Sequence, residues 1–443
     1  MSMVGRPGYK ETTIGWIPDL WPVRRLEEIS TDNITYGVVQ PGPEDENGVR
    51  LVRGGDVKSG RVSTALRTIS NAVSKQFSRT VLRGGELLVS LVGYPGETAI
   101  ASKELAGANI ARQVGLVRLS VSNDSHFVQQ YLSSPIGKKV LLGGMIGSAQ
   151  QVINLSALRE VEVPLPPLPE QQKIAAILTA LDEKLAIVAR QIEATQTLTQ
   201  GMMQTLFSRG VGILDASGRW VPHTKFKDSE LGEIPASWAA AKLNSHVNKV
   251  GSGVTPKGGS DSYLSTGIPL IRSQNVLVGR LSLDDVVFIS PEQHGKMRNS
   301  ALSANDVLLN ITGASIGRCA VLPADFEAGN VNQHVCIIRT EASLNPHFLC
   351  QYLNSEMGQK QVSRFQAGGN REGLNYQQIR SFDVPLPPVQ EQHEIATVLG
   401  CLDEKVEVLM SKQAQYQTLK RGLMQKLLTG EWRVSLDASA TAT

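Results

Sequence analysis

The sequence predicts a duplicated protein: two mixed α/β (α+β) domains separated by two long helices that pair as an antiparallel coiled coil. Three observations carry this. The segment VPLPPLPEQQKIAAILTALDEKL at 163 to 185 returns as VPLPPVQEQHEIATVLGCLDEKV at 384 to 406, 221 residues on. A chain of 443 residues is too long for one ordinary core, so a repeat of half its length reads as two domains. After each copy of the segment, apolar residues alternate four and three apart, the seam of a supercoiled helix.

The elements follow in order. GWIPDLW (15 to 21) recurs as GEIPASW (232 to 238), which marks the start of each repeat. VRLVRGGDVKSGRV (49 to 62) matches IPLIRSQNVLVGRL (268 to 281), and ELLVSLVGYPG (86 to 96) matches DVLLNITGASIG (306 to 317). NIARQVGLVRL (109 to 119) matches NVNQHVCIIRT (330 to 340), and HFVQQYLSSPIGKK (126 to 139) matches HFLCQYLNSEMGQK (347 to 360). The short aliphatic runs broken by Gly, Asn and Pro predict strands and turns, followed by helices around Phe127 to Leu132 and Phe348 to Leu353. Pro164, Pro166 and Pro167 exclude helix, and Pro169 with Glu170 then starts one.

The first helix carries the seam Ile174, Leu178, Leu181, Leu185, Val188, Ile192, Thr195, Thr199, Met202 and Leu206. The second carries Ile395, Leu399, Leu402, Val406, Leu409, Gln413, Tyr416, Lys420, Leu423 and Leu427, with Gln413 and Lys420 as polar positions suited to fixing register or accepting an outside partner. Each seam is roughly 35 residues, about 50 Å of helix. Neither stripe can be buried alone, and matched lengths favour pairing with each other. The polar stretch 210 to 234 is long enough to return the chain in either orientation, and antiparallel pairing is favoured because it spaces two similar modules. The expected domains are 1–162, recognition domain one; 163–209, first helix; 210–234, linker; 235–383, recognition domain two; 384–430, second helix; and 431–443, a tail.

Composition excludes several classes. With 41% hydrophobic and 19% charged residues and no apolar run near the ~20 that a membrane span needs, the chain reads as a globular protein. MSMVGRPGYKETT lacks an apolar signal core, so a cytoplasmic location is expected. Cys319, Cys336, Cys350 and Cys401 all lie in the second half without counterparts in the first, which argues against zinc and a disulfide framework. GSGVTPKGGS (251 to 260) lacks phosphate-loop spacing, and no HExxH occurs. Asn345-Pro346-His347-Phe348 looks like an adenine methyltransferase tetrad, but its repeat partner Asp124-Ser125-His126-Phe127 shares only the His-Phe pair and an Asx-type start, so an N-cap before a helix explains both. The two LDEK sequences put carboxylates beside a lysine as nucleases do, yet on a heptad helix such charges read as a solvated face. No catalytic site and no metal site is expected.

What remains is chemistry suited to DNA. The net charge of +3 and a pI near 8.6 permit a nucleic-acid partner. Arg50, Arg53, Lys58 and Arg61 in the first repeat, and Lys257, Arg272 and Arg280 in the second, fall around strand ends with Gly, Asn and Gln nearby. The glycine-bearing turns holding Tyr94 and Ser315 allow a close approach to a groove, and Arg112 and Gln333 stand at matched loop positions. A further loop sets Gln150, Gln151 and Asn154 opposite Arg371, Glu372 and Asn375. Arginine holds guanine bidentately, Asn or Gln holds adenine, Glu accepts from cytosine and Lys contacts phosphate. A common framework with different loop side chains reads as two readers of different texts.

The duplicated VPLPP..EQ..IA..L..LDEK junctions, the long helices after them and the GWIPDLW and GEIPASW starts resemble the specificity subunits of type I restriction-modification systems. The resemblance covers nearly the whole chain, roughly 10 to 430. It implies that each repeat is a target recognition domain reading half of a bipartite, asymmetric DNA sequence. It implies an antiparallel coiled coil that sets the gap and binds two methyltransferase subunits. By the same resemblance, S-adenosylmethionine is used by those subunits, and ATP and magnesium serve restriction and translocation subunits, with no cofactor held by this chain. Two alternatives stand beside it: an enzyme with its own methyltransferase or nuclease, for which no complete motif set is found, and a coiled-coil interaction scaffold without sequence-specific DNA binding.

Overall fold

A computed structural model describes residues 7–143, 152–256, 258–366 and 373–435. The chain forms two compact units, one made of 1–189 with 411–443 and the other of 190–410.

The first unit is built around two sheets of three and four strands, together with two-stranded pairings. Strands β1 (Thr35–Tyr36), β2 (Val49–Val52), β3 (Arg67–Ile69), β4 (Leu87–Ser90), β5 (Thr98–Ile100), β6 (Asn109–Ile110) and β7 (Val114–Val117) are short runs set between turns. One sheet is antiparallel in the order β5-β4-β7-β1; the other runs β6-β2-β3, with β6 parallel to β2. β4 and β7 are buried along their whole length, which explains why LLVS and VGLV show no alternation. Helix α1 (Ser125–Ser133) packs on this sheet through Phe127, Tyr131 and Leu132.

The second unit repeats the plan. Strands β8 (Val247–Ser252), β9 (Ile268–Ile271), β10 (Val287–Ile289), β11 (Val307–Asn310), β12 (Cys319–Val321), β13 (Asn330–Val331) and β14 (Val335–Thr340) form an antiparallel sheet β8-β14-β11-β12 and a second sheet β10-β9-β13. Again one pair, β9 with β13, is parallel. Duplicated sequence has therefore given duplicated topology, including strand order.

The helices follow the predicted seams. α2 spans Leu168–Arg209 and α4 spans Val389–Leu427; α3 (Pro346–Asn354) is the second repeat's equivalent of α1. Every predicted seam residue of α2 and α4 is buried or half-buried. In the first unit Ile174 and Leu178 of α2 share a core with Met424 and Leu427 of α4, and Lys420 donates to Asp182 at 2.6 Å. In the second unit Leu206 and Phe207 share a core with Ile395 and Leu399. Within each unit the start of one long helix thus lies against the end of the other, an antiparallel pairing. The polar seam residue Lys420 has a carboxylate partner, as a register-setting position requires.

Three local differences from the sequence reading have physical causes. The proline runs are edge strands: Glu162–Pro164 pairs with Val23–Arg25, and Asp383–Leu386 with Ala239–Lys242, so the helices start a few residues later than 163 and 384. The stretch 210 to 234 is ordered as two hairpins, Ile213–Leu214 with Trp220–Val221 and Phe226–Ser229 with Gly232–Pro235. The second of these has its counterpart in Tyr9–Thr12 with Gly15–Pro18, so each repeat begins upstream of its tryptophan. A linear division of the chain also cuts these units elsewhere, because each unit is completed by the far end of the other repeat's helix.

The junction motif explains itself in the structure. Gln171 accepts from the Asp124 amide and donates to Pro166 O, both at 2.9 Å; Gln392 does the same with Asn345 (2.8 Å) and Pro387 (2.9 Å). Each glutamine ties a proline run to the cap of α1 or α3. Glu391 accepts from Trp238 Nε1 at 2.8 Å, from the Val211 and Gly212 amides at 3.0 Å and contacts His223 Nε2 at 2.9 Å. Glu170 instead receives Arg433 bidentately at 2.6 and 2.7 Å. Gly210 and Gly430 end the long helices with φ of +70° and +68°, the left-handed stop that glycine adopts without strain.

Candidate nucleic-acid interface

Three loops converge in each unit. In the first, β2 ends at Val52 and the chain turns through Gly54–Asp56, where Asp56 accepts from Arg53 N at 2.8 Å and from Arg53 Nε at 3.1 Å. The Asp56 carboxylate also favours the charged guanidinium, pushing its pKa upward. Gly54 lies so close to the other loops that a Cβ there would meet Val92 O at 2.4 Å and Gln113 Cβ at 3.1 Å. The turn after β4 carries Tyr94, 54% exposed, with Lys58 Nζ 5.9 Å from its ring centroid. The loop between β6 and β7 carries Arg112, whose amide donates to Val38 O at 2.8 Å and whose exposed side chain has no hydrogen-bond or ion-pair partner among the described residues. Arg53, Lys58, Tyr94 and Arg112 are therefore brought to one region.

The second unit builds the same region with other side chains. Arg272 precedes the turn Ser273–Asn275, and Asn275 Oδ1 accepts from Arg272 N at 2.9 Å. With an amide where the first unit has a carboxylate, the Arg272 guanidinium turns away, donating to Asp285 O at 2.9 Å beside the Tyr263 ring. Asn310 Nδ2 holds the loops together through Ser273 O (2.8 Å), Val276 O (3.2 Å) and Ser315 Oγ (3.2 Å), the task Ser90 performs through Gly54 O at 3.1 Å. A cleft of about 550 Å3 opens between Ser273, Gln274, Thr312, Ser315, Arg318 and His334. Gln333 neighbours the lining residue His334, its Nε2 3.0 Å from His334 Nε2. Ser315 and Gln333 are the sequence-predicted residues found here.

Other predicted residues lie elsewhere. Arg50 donates to Glu104 O, and Arg280 faces Glu407 of α4 at 3.7 Å. Arg61 lines a different cleft of about 550 Å3, with Lys103, His126, Gln130, Asp182 and Glu183, next to α2 rather than the loops. Asn154 and Asn375 cap short helices, accepting from Ala157 N at 2.7 Å and Gln378 N at 2.9 Å. Gln150, Gln151, Lys257, Arg371 and Glu372 lie outside the described residues. Ser273, Gln274, Thr312, Arg318 and His334 were missed by the sequence reading; the runs SQN and NQH at strand ends, polar and repeat-matched, were the available signal.

The rejected catalytic readings have structural counterparts. Asp124 and Asn345 cap α1 and α3, accepting from Phe127 N at 2.8 Å and Phe348 N at 3.1 Å. Phe348 is fully buried, so it cannot stack on a substrate base. In the LDEK sequences Glu183, Lys184, Glu404 and Lys405 are exposed as a solvated face predicts, but the aspartates are not idle. Asp182 accepts from Gln130 Nε2 at 2.7 Å and Asp403 from Gln351 Nε2 at 2.5 Å, fastening α1 and α3 to the long helices. Cys319, Cys336 and Cys350 are buried, Cys401 is exposed, and all four are free thiols. No helix among the described residues is long and apolar enough to cross a membrane.

Comparison with known proteins agrees with this arrangement. Residues 18–196 and 236–416 each match the type I restriction modification DNA specificity domain, together more than half of the chain. The chain is similar to the MjaX specificity subunit of a type I restriction enzyme from Methanocaldococcus jannaschii, 26% identical over 437 residues, which are 96% of this chain and 97% of the relative. It is similar also to the MjaVIII specificity subunit from the same organism, 29% identical over 287 residues, 64% of each chain. Among solved structures, the S subunit of a type I restriction-modification system from M. genitalium has the same fold, with a TM-score of 0.60, 17% identity and coverage of 94% of this chain and 96% of that one. Two copies of the specificity domain, each with its own loop set, give the chain a bipartite target-recognition role, and it belongs to the type I restriction-modification DNA specificity family.

Proposed function

We propose that this chain is the non-catalytic sequence reader and assembly scaffold of a type I restriction-modification complex acting in the cytoplasm. Each repeat reads one half of an asymmetric double-stranded DNA target. The paired long helices hold two methyltransferase subunits, and restriction and translocation subunits join that core. S-adenosylmethionine, ATP and magnesium are used by the partners.

The observation that carries this reading is the matched pair of loop sets, identical in framework and different in side chains: Asp56 against Asn275, Tyr94 against Ser315, Arg112 against Gln333. A protein-binding scaffold without a DNA target has no need of two such divergent sets on one topology. Within this region, Arg53, Lys58, Tyr94 and Arg112 on one repeat and Ser315 and Gln333 on the other are the contacts we assign to DNA. Arg50, Arg61, Arg272, Arg280, Asn154 and Asn375 are assigned to the surrounding framework.

The test is methylome sequencing of a host expressing the chain with its methyltransferase subunits, before and after residues 238 to 382 are exchanged for those of a relative. One half of the modified sequence is expected to change and the other to persist; a change in both halves contradicts the modular reading. Purified alone and supplied with S-adenosylmethionine, ATP and magnesium, the chain is expected to transfer no methyl groups and cut no DNA.

A further inference from the structure

The two repeats place different side chains at one matched position, and the surroundings of one fix its geometry. β6 pairs with β2 through Asn109 and Leu51, and β13 pairs with β9 through Asn330 and Leu270, the equivalent residues of the repeat. The chain then leaves both strands alike, with Ala111 N donating to Val52 O at 2.8 Å and Asn332 N to Ile271 O at 3.1 Å. The next residue is Arg112 in the first unit and Gln333 in the second, and both are exposed.

The Gln333 amide is held at both ends. Its Oε1 accepts from Thr255 Oγ1, and its Nε2 lies 3.0 Å from His334 Nε2; His334 Nδ1 is in turn 2.6 Å from Thr312 Oγ1. The amide nitrogen has two hydrogens and the oxygen two lone pairs, so one donor and one acceptor stay free on an exposed side chain. A donor and an acceptor side by side are the complement of N7 and N6 on the major-groove edge of adenine. The Arg112 side chain, with no partner among the described residues, offers parallel donors, the complement of guanine N7 and O6. Of the other predicted arginines among the described residues, Arg50, Arg53, Arg272 and Arg280 each have a partner within the protein, and Arg61 lies at the cleft beside α2 rather than in these loops.

We infer that Gln333 reads an adenine in the half-site bound by the second repeat and that Arg112 reads a guanine at the corresponding place in the other half-site. Thr255 and His334 are positioning residues for the Gln333 amide. The inference rests on the DNA-reading role proposed above.

The test uses the full chain co-expressed with its methyltransferase subunits, with the modified sequence read by single-molecule methylome sequencing. For Gln333→Arg, one A·T pair in one half-site is expected to become G·C, with the other half and the gap unchanged. For Arg112→Gln, the reverse exchange is expected in the opposite half. Loss of a bidentate contact corresponds to about a 10- to 100-fold drop in preference for the original base. Gln333→Glu, nearly isosteric and checked by its melting curve, is expected to lose the adenine preference without loss of folding. An unchanged site in folded Gln333→Glu or Arg112→Gln, or both changes falling in one half-site, overturns the inference while leaving the reader role intact. A wild-type complex that modifies no defined sequence overturns the reader role itself, and the inference with it.

Discussion

Two tryptophans at matched positions show how far a duplication preserves shape without preserving chemistry. Trp21 and Trp238 are both buried, but only Trp238 has a carboxylate on its indole nitrogen; Trp21 Nε1 has no hydrogen-bond partner among the described residues. Replacing Trp238 by Phe leaves the buried Glu391 short of a donor, whereas replacing Trp21 by Phe removes no hydrogen bond. A hydrogen bond to a charged group contributes about 1.5–3 kcal/mol. Trp238→Phe is therefore expected to lower stability by about that much more than Trp21→Phe, measured by denaturant unfolding of the two variants. Asp403 offers a second residue-scale test. Burial raises its pKa above the ordinary 3.8, the donated bond from Gln351 opposes this, and nearby Glu407 adds to it. A carboxyl raised by folding binds its proton more tightly in the folded state, so its contribution is most favourable below the ordinary value and declines as pH rises through the raised one. Asp403→Asn keeps an acceptor for Gln351 without the charge. Its melting temperature relative to wild type is expected to climb as pH increases from about 4 towards neutrality; a constant difference contradicts that account. At this scale the sequence was a partial guide. The N-caps Asp124 and Asn345 were legible because capping is a local matter, whereas the destinations of Arg50 and Arg280 depended on Glu104 and Glu407, which no local pattern connects to them.

At the scale of elements, the long helices were the most legible part of the chain, because a four-and-three seam of ten residues in each leaves little freedom in which face is buried. The strands were legible as short runs, but their order was not: β6 pairing parallel to β2 across the intervening antiparallel strands comes from the packing of the whole unit. The hairpins within 210 to 234 escaped notice because their strands are only two to four residues long and half exposed. The continuity of α2 makes a specific expectation. Inserting four residues after Thr199 lengthens it by about 6 Å, or one turn, and shifts Met202 and Leu206 relative to the Ile395 and Leu399 side of their core. The gap between the two recognised half-sequences is expected to change by a base pair or two, or the complex to fail to assemble, with both half-sequences unchanged. Full activity at the original gap, read by methylome sequencing, contradicts a spacing role for the helix.

For the whole molecule, the far-end contacts carry a consequence for the order in which the chain is made. Tyr9 donates to Gly430 O, and Arg433 reaches Glu170, so the first unit is finished only after residues 430 to 433 have been translated. The second unit, 190–410, has all its parts once α4 is half made. On the ribosome the later-encoded reader can therefore close before the earlier one, whose core around Trp21 and Ile174 stays open until Met424, Leu427 and Leu428 emerge. A chain stopped after Met410 is expected to show protease protection within 190–410 and rapid cleavage before 189, the opposite of what amino-to-carboxyl folding produces. A nonsense mutation between residues 411 and 424 would then strike the first unit, leaving a product whose exposed apolar stripe on residues 174 to 188 is a target for chaperones and quality-control proteases.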